Sequence, residues 1–117
     1  MESILTSIKK LLGITEEDGS FNDDIVIDIN SVLMILNQLG VGPDDPYYIV
    51  DDTETWEDFL GDDMNLLGLV KSYIHLKVRL MFDTATLTSP QIEMINRQIA
   101  EFEWRLNVMV DTETENE

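Results

Sequence analysis

The residues best suited to chemistry in this chain are its carboxylates, and their spacing fits none of the usual carboxylate sites. The run Glu16-Glu17-Asp18-Gly19-Ser20 comes nearest to a calcium loop. An EF-hand needs glycine at its sixth position and a bidentate Glu at its twelfth. Counted from Glu16, the glycine falls early, and Ile27 takes the closing place. The pairs Asp51-Asp52 and Asp62-Asp63 lack spaced partners and read as loop and cap residues. His75, the single histidine, has Lys71, Ser72, Val78 and Arg79 at helical spacing, so it builds neither a metal site nor a triad. There is no cysteine, no glycine-rich phosphate loop and no nucleophile elbow. An acyl carrier would need a serine after an aspartate at a helix start, and Gly61-Asp62-Asp63-Met64 offers none. The expectation is a protein without catalytic residues, cofactor or metal, and not an enzyme.

The elements that would hold any surface in place centre on the stretch 64–82. At helical spacing it carries two apolar stripes. Leu67, Val70, Ile74, Val78 and Met81 form one; Leu69, Tyr73, Leu76 and Leu80 form the other. Two stripes predict a helix packed by neighbours on both sides. Its remaining edge reads Gly68, Lys71, Ser72, His75, Arg79, a narrow basic strip.

Around this helix the chain reads as all-α: four main helices, one short helix and an extended loop between helices two and three. Residues 2–12 form an amphipathic helix with Ile4, Leu5, Ile8, Leu11 and Leu12 inward; Lys9 and Lys10 suit its C-terminal dipole, and Gly13 stops it. Ser20 with Asp23 predicts the start of a second helix, which runs to about Leu39 on Ile25, Ile29, Val32, Leu36 and Leu39. Residues 40–54 hold two of the three prolines and five acids, and read as an extended loop. Thr55 with Asp58 caps a short helix anchored by Trp56 and Phe59 and closed by Gly61. In the last helix, about 90–108, Ser89 is expected to cap and Pro90 to take the first position. Its stripe is Ile92, Ile95, Ile99, Phe102, Leu106, opposite the ladder Glu93, Arg97, Glu101, Arg105. The reading is one domain over 1–110 with a flexible acidic tail, 111–117.

Charge narrows the function. Against 24 acids stand 7 bases, a formal net charge of −17. Nucleic-acid binding draws on cations that displace counterions, so this chain repels DNA. No apolar run reaches membrane-span length and no signal-peptide pattern opens the chain, so a soluble protein made in a cytoplasm is expected, without a membrane partner. The sixty residues from Leu11 to Val70 contain fifteen Asp and Glu and neither Lys nor Arg. Such segregation suits a subunit that meets its copy acidic face to basic face.

The order of elements resembles the head–tail connector (adaptor, or head-completion) proteins of tailed bacteriophages. The matching residues are Leu12-Gly13-Ile14 leading to Thr15-Glu16-Glu17-Asp18, then Ile25, Ile29 and Ser31 of helix two. Val70, Tyr73, Lys77 and Arg79 match the third helix, and Ser89-Pro90 opens a last helix ending Glu103-Trp104-Arg105-Leu106. Ser31 stands where the family usually has alanine, and Arg79 lies further from Tyr73 than in the usual pattern. The resemblance implies a structural virion subunit at the head–tail junction, made in the bacterial host cytoplasm. It would form a homo-oligomeric ring, twelve-fold on the portal, touching the portal protein and the next head-completion or tail protein. DNA would pass through an acid-lined channel without specific binding.

Residues are assigned accordingly. Lys71, His75, Arg79 and Arg105 are candidates for the subunit interface; Asp44, Asp45, Asp51 and Asp52 for the channel. Trp104 falls off the apolar stripe, and with Val108 and Met109 forms a candidate contact for the portal or a neighbour. The alternative is an acidic DNA mimic that inhibits a host nucleic-acid-binding protein; the basic strip on the central helix speaks against it.

Overall fold

The computed structural model describes residues 2–115. Helix α1 (Ile4–Leu11) opens on Ser3, whose side chain accepts the Thr6 amide. It closes in a Schellman turn, with Ile14 N–H donating to the Lys9 carbonyl and Gly13 N–H to that of Lys10. Ile4, Leu5 and Ile8 are buried as expected, while Leu11 is exposed. Lys9 departs from its expected role at the helix dipole. Its side chain is buried, and Nζ donates to the Glu16 and Asp18 carbonyls at 3.1 and 2.7 Å. The ammonium thus ties down the acidic turn.

That clip explains why Ser20 does not cap helix α2 (Asn22–Gln38). The Ser20 amide is taken by the Asp18 carboxylate at 3.0 Å, and Phe21 holds the cap position with no side-chain cap bond. The Phe21 ring instead packs edge-on against Phe82, 5.3 Å between centroids. Asp23 and Asp24 supply favourable charge in the first turn. A second Schellman turn, Val41 to Leu36 and Gly40 to Asn37, ends α2 and buries Val41.

Helix α3 (Trp56–Leu60) has the capping box that Thr55 and Asp58 predict. Trp56 is buried, and its Nε1 donates to Ser7 Oγ at 2.9 Å, fastening α3 to α1. A 3₁₀ turn, Gly61–Leu66, then feeds α4 (Leu67–Phe82). Asp63 breaks the helical backbone there, so Met64 and Asn65 lie before the central helix and not in it. Helix α4 packs against α2 and α5, with α1 also on it. The two stripes thus find neighbours on two sides: Val70, Tyr73, Ile74 and Val78 are buried, and Met81, at the helix end, is exposed.

Helix α5 (Ser89–Glu115) begins one residue earlier than expected. Thr88 is the cap: its Oγ1 accepts the Gln91 amide, and Gln91 Oε1 accepts the Thr88 amide at 2.9 Å. Ser89 has Ile92 at the same offset and cannot form the reciprocal bond. The helix passes the expected end at 108 and includes 111–115; residues 116 and 117 of the expected tail lie outside the described residues. The whole measures 44 × 34 × 19 Å, about two helix layers thick. The described residues form an all-α bundle of four main helices and a short one.

Candidate interaction surfaces

The segment between α2 and α3 is held along its length by side chains. Asn37 Nδ2 donates to the carbonyls of Pro43 and Asp44 at 3.3 and 3.2 Å. Asn30, seven residues earlier on α2, donates to the Ile49 carbonyl at 2.9 Å and accepts the Ile49 amide at 2.8 Å. One carboxamide thus imitates a strand partner for Ile49, which is buried. The segment runs back along α2 for about 10 Å. Gly42, at φ 88°, lies so close to Phe59 that a Cβ would stand 2.4 Å from the ring, and Tyr47 packs on the same ring. Beyond Ile49 the Glu54 carboxylate accepts the amides of Val50 and Asp51, and Asp51 accepts both the amide and the hydroxyl of Thr53. Asp44, Asp45, Asp51 and Asp52 are all exposed on this fixed frame. So are Tyr48 and Val50, at 68% and 70%, which flank the buried Ile49.

The basic edge of α4 is partly covered by α1. Lys71 shares Glu2 with Lys10, at 3.6 and 3.5 Å. Glu2 is held below the usual carboxylate range, first by hydrogen bonding with Ser7 and then by these two ammonium groups. His75 is half-buried, and its Nε2 is buried without a hydrogen-bond partner. Burial, and then the Arg79 charge, lower its pKa. Arg79 lines a cleft of about 210 Å³ between α4 and α5, with Leu76, Leu87, Met94 and Ile95. Its Nε is buried without an acceptor. Among the described residues the other Lys and Arg side chains all have an occupation: carbonyls for Lys9, Glu2 for Lys10 and Lys71, the Tyr73 ring for Lys77, Glu93 for Arg97, Glu101 for Arg105. Among the described residues no carboxylate pairs with Arg79. Lys71, His75 and Arg79 therefore share one edge, whereas Arg105 sits on the outer face of α5, paired within its own helix.

On α5, Trp104 is 65% exposed and Val108 is 42% exposed, while Met109 turns inward onto the core. Val110 lies against Gly40 at the end of α2, where a Cβ would meet it at 3.1 Å. The turn of α5 that carries Met109 and Val110 is therefore seated on the bundle.

Asn30, Asn37 and the hydroxyl of Tyr73 are the positioning groups that the sequence reading passes over. The signal for the first two was present: two asparagines seven apart on a helix, next to a loop rich in proline. Among the described residues no group of His, Cys, Asp and Glu is placed to hold a metal ion, and no helix is long and apolar enough to cross a membrane.

A helical bundle that displays a braced acidic segment, an unpaired arginine in a cleft and an exposed tryptophan is an all-α interaction module. A family model described as phage connector protein matches residues 4–113, and the chain belongs to that family. It is a structural class, a connecting component of the phage particle. No curated protein and no solved structure matches the chain.

Proposed function

We propose that this chain is the repeating subunit of a homo-oligomeric ring, twelve-fold on the portal, that joins the capsid portal to the tail in the virion. The next head-completion or tail protein docks on the far side of the ring. The subunit is made in the bacterial host cytoplasm and works without cofactor or catalysis. The observation that carries this reading is the braced segment 43–54: it exposes four aspartates on a fixed frame inside a sixty-residue stretch that lacks any cation. Asp44, Asp45, Asp51 and Asp52 face the channel, where a surface of one sign lets DNA pass without sticking. Lys71, His75, Arg79 and Arg105 serve the contact between copies. Trp104 and Val108 meet the portal, with Met109 holding that turn of α5 on the core.

Electron microscopy of the protein mixed with portal tests the reading, with a ring on the portal vertex as the expected image. Changing Asp44, Asp45 and Asp51 to Asn should leave the fold and the ring intact while virions package or eject DNA less well. A protein that stays monomeric with and without portal, or that binds duplex tightly at physiological salt, would overturn the proposal.

A further inference from the structure

Tyr48 and Val50 call for an explanation. A large apolar pair on a mobile loop could turn inward, but this pair is fixed outward by the Asn30–Ile49 bonds and the Glu54 carboxylate. Preorganised apolar side chains lose little entropy on binding and are the kind of residue that anchors an interface. They are flanked by acids: Asp44 and Asp45 before them, Asp51 and Asp52 after. Asp51 spends its carboxylate on Thr53, while Asp52 makes no hydrogen bond or ion pair among the described residues.

The surface that complements this segment lies elsewhere on the same molecule. The cleft between α4 and α5 is lined by Leu76, Leu87, Met94 and Ile95 together with the carboxamides of Gln91 and Gln98, and it holds Arg79, which alone among the cations of the described residues has no ion pair, hydrogen bond or ring contact. Its volume of about 210 Å³ leaves room for an apolar side chain to enter. The hollow around Phe21, Ile27 and Met81 is rimmed by Asp24, Asp28 and Asp83 and would repel an acidic segment; the hollow beside Ile27 and Met34 holds no cation, and the one along α5 has its Arg97 already paired with Glu93. The segment cannot serve its own cleft. It is tied to α2, on one side of α4, and the cleft lies on the side of α5.

We propose that the Tyr48–Val50 edge of one copy seats on the Arg79 cleft of the next copy, with Asp52 as the partner of Arg79. This rests on the ring reading and names its contact; it moves Asp52 from the channel wall to the interface. The pairing joins two different surfaces, so it propagates head to tail and closes into a ring when the rotation allows.

Because the chain has no cysteine, disulfide trapping tests the contact without background. Val50 and Met94 are both exposed, and their replacement leaves the core alone. The double variant Val50→Cys with Met94→Cys, mildly oxidised, should give a ladder of covalent multimers on a denaturing gel, whereas each single variant stops at dimers. As a companion, Tyr48→Ser with Val50→Ser should keep the melting temperature of the parent and lower the assembled fraction in light scattering at least tenfold. Rings seen by microscopy without a ladder would overturn the segment-to-cleft contact and leave the ring standing. No ladder from a protein that never assembles, even with portal, would overturn both.

Discussion

The hydroxyl of Tyr73 donates to Glu103 Oε2 across 3.0 Å, joining α4 to α5 at a point where the Tyr73 ring is fully buried. Lys77 Nζ lies 5.8 Å from the centroid of the same ring. Apolar stripes alone would let α5 slide by a turn on α4. A single buried donor matched to one carboxylate penalises every other register, because the hydroxyl would then be buried unpaired.

This bond makes stability depend on alkaline pH. Burial first, then the Glu103 carboxylate, hold the Tyr73 phenol well above its usual range, and Tyr47 is raised too, by burial and then by Asp58 and Glu54. A raised folded-state value means the neutral phenol stabilises the fold fully below the unfolded value, about 10, and that stabilisation is lost as pH rises above it. Tyr73→Phe should cost about 1 kcal/mol at pH 7. In urea titrations it should then lose less than the parent between pH 9 and pH 11. Equal slopes in the two proteins would show that the Tyr73 phenol does not govern the alkaline limb.

Lys9 offers a second test, since a buried ammonium satisfied only by carbonyls is unusual. Lys9→Met keeps most of the aliphatic stem but abandons the Glu16 and Asp18 carbonyls. Hydrogen bonds to charged groups contribute about 1.5–3 kcal/mol, so a loss near 2 kcal/mol in the urea midpoint is expected. Lys10→Met, whose ammonium is exposed beside Glu2, should stay within about 0.5 kcal/mol. Similar values for the two variants would contradict the clip.

These two positions show what can be read from a one-dimensional pattern. The apolar stripes of α4 and the Thr55–Asp58 box are local, with partners three or four residues apart, and both are legible. Lys9 is not, because its acceptors are main-chain carbonyls seven and nine residues on, which carry no side-chain signature. The basic strip of α4 is legible as a strip. That α1 half covers it, leaving Arg79 without an ion-pair partner among the described residues, follows only from packing. The same holds for the Asn30 carboxamide, whose partner is a backbone nineteen residues away.

At the start of α5 two adjacent hydroxyls compete for the cap, and the geometry chooses Thr88. Thr88→Ala removes the acceptor of the Gln91 amide and should cost about 1 kcal/mol. Ser89→Ala lies inside the first turn and should be neutral or slightly stabilising, as alanine is the better helix former. Thermal melts of both variants decide the matter. A larger loss from Ser89→Ala would return the cap to Ser89.

The two tryptophans of the chain should behave in opposite ways. Trp56 is buried and bonded to Ser7, so Trp56→Ala should cost about 3–5 kcal/mol. Trp104 is 65% exposed, so Trp104→Ala should move stability by no more than about 0.5 kcal/mol. If Trp104 is the portal anchor, the same change should weaken co-sedimentation with portal more than tenfold, the size of a hot-spot loss of about 2 kcal/mol. Removing the end of α5 is a poorer probe, because Met109 packs on the core and Val110 sits against Gly40, so truncation would also loosen the bundle. Val108→Ser, on the exposed side, is the better second variant. Should Trp104→Ala and Val108→Ser both retain parental portal affinity, the anchor must lie elsewhere; a drop in affinity at constant melting temperature places it on this face of α5.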